Sequence, residues 1–123
     1  HKVVPDMYAS SDVCLVPLRR GFTAESVPCK VFTITAAARP LIASVDKDSD
    51  THRFVQEAQC GLWVEPENPK ALAEAILALY SDRELRERLG RNGREYVETH
   101  YTRQAIARQY AELLEEVVES RIV

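Results

Sequence analysis

The chain has 123 residues, enough for one domain with a core of its own. Hydrophobic residues make up 46% and charged residues 28%, and the formal net charge of −3 argues against nonspecific binding to nucleic acid or to an anionic membrane surface. No apolar run approaches the roughly 20 residues that cross a bilayer. No export leader precedes Val3-Val4-Pro5, and the abrupt start at His1 reads as that of a piece cut from something longer.

In chain order, Val4 to Ser10 predicts a short helical turn opened by Pro5-Asp6. Asp12-Val13-Cys14-Leu15-Val16-Pro17 is continuously apolar, the pattern of a parallel strand covered on both faces. Leu18 to Ala24 predicts a loop whose Arg19 and Arg20 face either solvent or an interdomain cleft. A helix is predicted over Pro28 to Ala38, with Pro28 in its first turn. Thr33, Ile34 and Thr35 are weak helix formers, so Ala36-Ala37-Ala38 carries much of the local preference. Pro40 to Val45 is the second strand. Asp46 to Asp50 is a polar loop, with Ser49 a capping candidate; its three carboxylates read as a solvated acidic loop, with metal binding the alternative. A helix then runs through His52-Arg53-Phe54-Val55-Gln56-Glu57-Ala58, where His52 is expected at the surface, as is His100 further on.

Gly61 ends that helix, and Cys60 to Val64 forms a third strand. Its Trp63 belongs to the core or to a cleft edge, with stacking on a nucleobase as the alternative. Asn68 as N-cap and Pro69 at the first helical position start the next helix, which buries Leu72, Ile76 and Leu79 as one stripe. Ser81-Asp82-Arg83-Glu84 is a capping box for a helix carrying Leu85 and Leu89 and weakened by Gly90 and Gly93. The arginines at 83, 86, 88, 91 and 94 alternate with Glu84, Glu87 and Glu95 and read as an ion-paired, solvated face. Thr102 caps the last helix, whose apolar stripe is Ile106, Tyr110, Leu113 and Val117.

Strands alternating with helices predict an α/β fold: a Rossmann-like parallel sheet with flanking helices, followed by a helical C-terminal tail. Three strands are fewer than the five or six of a complete doubly wound domain, so the N-terminal strands are expected to be missing. The α/β part covers about 1–80 and the tail about 81–123, the tail packing outside the sheet or crossing to a partner domain.

The chemistry concentrates where the loop after the first strand meets the next helix. Glu25-Ser26-Val27-Pro28-Cys29-Lys30 sets a carboxylate beside the free amides of a helix start. Amides hold an anion and a carboxylate holds a polyol, so phosphate next to sugar hydroxyls, a nucleotide sugar, fits both. The amides of Val27, Cys29 and Lys30 are the candidate phosphate contacts. Pro28 offers no N–H and contributes shape. Ser26 either binds phosphate or caps the helix, Lys30 either supplies a charge or is a solvated surface residue, and Glu25 is either a sugar contact or an ordinary N-terminal helix acid. The cysteines, Cys14, Cys29 and Cys60, are too few and too widely spaced for a disulfide framework or a zinc site and point to reducing cytosol. Cys14 is a small buried hydrophobe, and Cys29 has no histidine near it in sequence to act as a base.

Five segments in order resemble the C-terminal, donor-binding half of the group 1 glycosyltransferases, retaining enzymes with two Rossmann-like domains (the GT-B architecture). Val4-Pro5-Asp6-Met7-Tyr8-Ala9-Ser10-Ser11-Asp12-Val13 is similar to that family's Val-Pro and Tyr-x-Ala-x-Ala-Asp-Val segment. Glu25-Ser26-Val27-Pro28 resembles Glu-Gly-x-Pro, and Ala36 to Ser44 resembles Ala-x-Gly-x-Pro-Val-Ile-Ala-Ser. Gly61 to Pro69 resembles Gly-Leu-x-Val-x-Pro-x-Asp-Pro, and Pro17 matches the proline ending the strand before the glutamate. The Pro28-Cys29-Lys30 stretch is similar to a subgroup that includes enzymes of surface-polysaccharide assembly.

The resemblance implies a sugar transfer from a UDP-sugar or GDP-sugar to an acceptor glycan or lipid-linked sugar. It implies no cofactor, no metal and a cytoplasmic enzyme, peripheral or not at the inner membrane face. Glu25 stands where the family's first glutamate lies against the transferred sugar. Thr33 stands where a second glutamate usually binds the ribose, and one hydroxyl lacks the carboxylate's charge and paired oxygens. Ala38 stands where the family prefers glycine. The family's diphosphate-clamping Arg and Lys and its acceptor site lie upstream of the matched segments, so this piece alone is expected to be inactive. The alternatives are a nucleotide-sugar epimerase of the same architecture and a non-catalytic α/β interaction module.

Overall fold

The structure, a computed structural model, describes residues 2–21 and 27–122. Its elements are α1 (Val4–Ala9), β1 (Cys14–Pro17), α2 (Cys29–Ala36), β2 (Leu41–Ser44), α3 (Asp50–Ala58), β3 (Gly61–Val64), α4 (Pro69–Tyr80), α5 (Arg83–His100) and α6 (Arg103–Ile122). The three strands are parallel in the order β1-β2-β3, with Leu15 opposite Ile42 and Ile42 opposite Leu62. This is the expected Rossmann-like α/β arrangement with a helical C-terminal part.

Two apolar layers cover the sheet. On one side Val31 and Ile34 of α2 and Phe54, Val55 and Ala58 of α3 pack with Val16, Leu41, Ala43 and Val45. On the other, Ala75 and Leu79 of α4 and Leu89 of α5 pack with Ile42 and Val64. Central β2 is buried at all four residues, which is why its sequence is apolar without alternation. The outer strand β1 differs from expectation. Its apolar run is covered on one face only, leaving Leu15 42% exposed, because α4 sits over β2 and β3.

Local signals set most helix ends. Asn68 Oδ1 accepts from Ala71 N at 3.0 Å, Ser49 Oγ from His52 N at 3.2 Å and Thr102 Oγ1 from Ala105 N at 3.1 Å. The cap of α5 is Asp82, which accepts from Leu85 N at 3.0 Å. Ser81 instead ends α4, its hydroxyl donating to Leu77 O at 2.8 Å, so the cap lies one residue later and, with Leu85 at N3, the expected capping box does not form. The predicted helix over 28–38 stops at Ala36, because Ala38 turns left-handed at φ 56° to enter β2. That conformation accounts for a glycine preference at this position. Gln59, at φ 48°, ends α3, and Gly61 is already in β3. A Cβ on Gly61 would lie 2.0 Å from Leu41 O, so the glycine serves close strand approach and not the helix stop.

Gly90 and Gly93 do not simply weaken α5. They let it lie against its neighbours: a Cβ on Gly93 would come within 2.9 Å of Cys60 Cβ and 3.0 Å of Thr35 Cγ2. The α4 stripe is Ala75 and Leu79, with Leu72 half-buried, while Ile76 is 42% exposed on the helix flank. On α5 the ion-paired face forms in part: Arg83 pairs with Glu87 and Arg94 with Glu98 at i, i+4, whereas Arg86 is half-buried and donates to Leu79 O and Tyr80 O at the end of α4. Of the α6 stripe, Ile106 is half-buried, while Tyr110, Leu113 and Val117 are exposed and uncovered among the described residues. An apolar helical period records a surface that can be buried, and beyond Ile106 no described element reaches it.

Candidate functional site

The carboxyl ends of β1, β2 and β3 lie side by side, and the loops that leave them form one edge. In parallel α/β sheets this edge is where ligands bind. Hydrogen bonds stitch the loops together. Leu18 N donates to Ser44 O at 2.9 Å, and Gly21 N to Asp46 Oδ2 at 2.7 Å. The Arg20 guanidinium donates to Pro66 O at 3.2 Å. Arg20 is therefore tied to the loop after β3, whereas Arg19 borders a cavity of about 330 Å³ with Pro17, Leu18, Ser44, Asn68 and Leu72.

The loop after β2 is held from below. His52, expected at the surface, is 4% exposed. Its Nδ1 accepts from Asp48 N at 2.9 Å, and its ring lies 4.5 Å from that of Trp63. Trp63 Nε1 donates to Val45 O at 2.8 Å. Trp63 is thus half-buried and packed against the core, with His52 against its ring. A histidine next to Asp and Arg looks polar in sequence; burial follows from its place in the first turn of α3, where it turns back under its own cap.

Helix α2 opens onto the same edge. Val31 N bonds Pro28 O at 3.0 Å, and the first turn supplies no intrahelical acceptor to the amides of Cys29 and Lys30. Of the site residues read from sequence, Val27 is half-buried and packs against the core, and Lys30 is half-buried. Cys29 and Thr33, one turn apart, share the exposed face of α2 opposite Val31, Ile34 and Thr35. Thr33 Oγ1 donates to Cys29 O at 3.4 Å, so its hydroxyl proton points back along the helix and its oxygen remains an acceptor. Glu25 and Ser26 lie outside the described residues.

The cysteines differ sharply. Cys29 is exposed, Cys14 half-buried and Cys60 buried. Burial pushes the Cys60 thiol up to about 12, and desolvation also raises that of Cys14, against a hydrogen bond from Ser11 and the charge of Arg39. Among the described residues no cluster of three or more His, Cys, Asp or Glu is placed to hold a metal ion, and no helix is long and apolar enough to cross a membrane. Sequence reasoning missed Asp46 and His52 as organisers of this edge. Asp46 carried no signal beyond its place in an acidic loop.

A parallel sheet flanked by helices, with α2 starting at its carboxyl edge, defines a Rossmann-like α/β domain. Residues 1–96 match the sequence profile of the family described as Glycosyl transferases group 1, and the chain belongs to that family. It is 35% identical over 68 residues to a protein of Pseudomonas aeruginosa described as "Probable glycosyltransferase WbjE", a match covering 55% of this chain and 17% of that protein. Its fold is similar to the solved sucrose-phosphate synthase (tll1590) from Thermosynechococcus elongatus, with a TM-score of 0.75 and 30% identity, over 93% of this chain and 27% of that one. The matched segments thus span well under half the length of either relative.

Proposed function

We propose that this domain is the donor half of a two-domain retaining glycosyltransferase that moves a sugar from a UDP-sugar or GDP-sugar to an acceptor hydroxyl, in the cytoplasm and within surface-polysaccharide assembly. The observation that carries the reading is the start of α2 at the carboxyl edge of a parallel sheet, in a chain of the group 1 family. The amides of Val27, Cys29 and Lys30 contact the β-phosphate, and the Lys30 ammonium adds a positive charge. The helix dipole contributes about 0.3–1 kcal/mol toward an exposed anion, so basic side chains from elsewhere in the enzyme complete the diphosphate site. Glu25 accepts from hydroxyls of the transferred sugar and orients its anomeric carbon, Ser26 lies beside the phosphate, and Thr33 Oγ1 accepts from the ribose. The acceptor and the remaining catalytic groups belong to a second domain, so this domain alone does not turn over.

Cys29 offers a direct test, because it is the exposed thiol while Cys60 is buried and poorly ionised. Iodoacetamide at neutral pH is expected to alkylate Cys29 first in the complete enzyme. A UDP-sugar or GDP-sugar at millimolar concentration is expected to slow that reaction about tenfold or more, as simple occupancy at [L] about ten times Kd requires. Alkylation of Cys29 at one rate with and without every nucleotide sugar contradicts the reading.

A further inference from the structure

We propose that the cavity between the loops after β1 and β3 is the base subsite of the donor, where Arg19 and Glu67 read a ring N–H beside a carbonyl, the unit that uracil and guanine share; the proposal rests on the reading of this domain as a nucleotide-sugar donor half and deepens it. The cavity measures about 330 Å³ and opens at the carboxyl edge of the sheet. Ser44, which ends β2, lines it together with Arg19 from the loop after β1 and Glu67 from the loop after β3. Neighbouring strands stand about 4.8 Å apart, so the ends of β1 and β3 flank that of β2 across about 10 Å, room for one flat ring. Pro17, Leu18 and Leu72 supply apolar wall.

The two charged groups at this cavity are uncommitted. Both side chains are exposed, and among the described residues neither has a hydrogen-bond or ion-pair partner. The backbone that presents Glu67 is nevertheless fixed. Pro66 is buried and its carbonyl accepts from the Arg20 guanidinium at 3.2 Å, while Asn68 caps α4. Between them Glu67 holds φ 58°, a left-handed conformation that non-glycine residues rarely adopt and that clusters at ligand sites. A guanidinium only donates and a carboxylate only accepts, so one ligand satisfies both when it carries an acceptor and a donor side by side on a flat body. Uracil has a ring N–H between two carbonyl oxygens, and guanine has a ring N–H beside one. Adenine and cytosine place a bare ring nitrogen there, which sets a lone pair against the Glu67 carboxylate. Helices α2 and α4 cover opposite faces of the sheet. A donor with its diphosphate on α2 and its base in this cavity therefore lies across the ends of β1 and β2, in the crevice where open α/β sheets bind ligands.

The affinities of the complete enzyme for UDP, GDP, ADP, CDP and inorganic pyrophosphate test this. UDP or GDP is expected to bind about tenfold or more tightly than ADP and CDP, the scale of one hydrogen bond to a charged group. Glu67→Gln adds an N–H that a bare ring nitrogen accepts, so it is expected to remove most of that preference. Arg19→Ala is expected to weaken the preferred nucleotide about tenfold and to leave pyrophosphate at its wild-type affinity. Both residues are exposed and unpartnered among the described residues, so neither change burdens the fold. ADP or CDP binding as tightly as UDP and GDP overturns the proposal, and so does a preference that Glu67→Gln leaves intact. A loss in Arg19→Ala that pyrophosphate shares also overturns it, since Arg19 then acts on the phosphates and not on the base. A wild-type enzyme that binds none of the four nucleotides overturns the donor reading and takes the base subsite with it, a result distinct from the others.

Discussion

Glu25→Ala in the complete enzyme is expected to lower kcat by about 10²–10³-fold, the range for removal of one preorganised electrostatic group at a reacting centre. The melting midpoint is expected to move little. The asymmetry has a physical basis. Glu25 belongs to a stretch between Gly21, held by Asp46, and Val27, held by the core. A carboxylate rarely joins an apolar core, and both core clusters are built of apolar side chains. Its loss therefore costs the fold little, whereas the transferred sugar loses its carboxylate. Glu25→Gln keeps an acceptor without the charge and is expected to fall between. Turnover unchanged in Glu25→Ala removes that residue from the site, and a matching loss of stability turns it into an ordinary helix-start acid.

The second large effect is on stability, and its sign separates two readings of one residue. Gly90 lies inside α5, where helix propensity alone predicts that alanine stabilises by about 1 kcal/mol. The packing predicts the opposite. A Cβ on Gly90 would stand 2.2 Å from Ala38 O and 3.0 Å from Ala38 C, both backbone atoms. Ala38 is itself at φ 56° in the turn from α2 to β2, so it has little room to yield. Overpacking typically costs about 1–3 kcal/mol where side chains can move aside, and a backbone obstacle belongs at the top of that range. Gly90→Ala is therefore expected to destabilise by about 2 kcal/mol net, read as a lower urea midpoint with an unchanged slope. A stabilised Gly90→Ala contradicts the close approach of α5 to this turn.

These residues also show how far the sequence can be read. Asn68-Pro69 gives a helix start because cap and first-turn residue act on their own backbone, and the structure places both as expected. Leu41 to Ser44 reads as a buried strand because both faces are covered, so burial removes the alternation. Signals that depend on a neighbour distant in sequence are lost. Gly61 and Gly90 read as a helix stop and a weak point, yet each is there because another backbone passes within van der Waals distance. His52 reads as a surface residue because its sequence neighbours are polar, while its ring turns under the loop onto Trp63. Ile76 and the α6 stripe beyond Ile106 carry helical periodicity that no described element covers. At the candidate site, the start of α2 is legible because Pro28 stands just before it in sequence. Asp46 is not, since its partner lies 25 residues away.

The central claim is that the start of α2 holds the diphosphate of a nucleotide sugar, and amide mapping tests it most directly. The complete enzyme, labelled with ¹⁵N, is titrated with UDP and GDP and then with their sugars. The account predicts the largest amide shifts at Val27, Cys29 and Lys30 for the free nucleotide that binds, with Glu25 and Ser26 joining once the sugar is present. Saturating nucleotide that moves amides elsewhere and leaves those of Val27, Cys29 and Lys30 in place contradicts it.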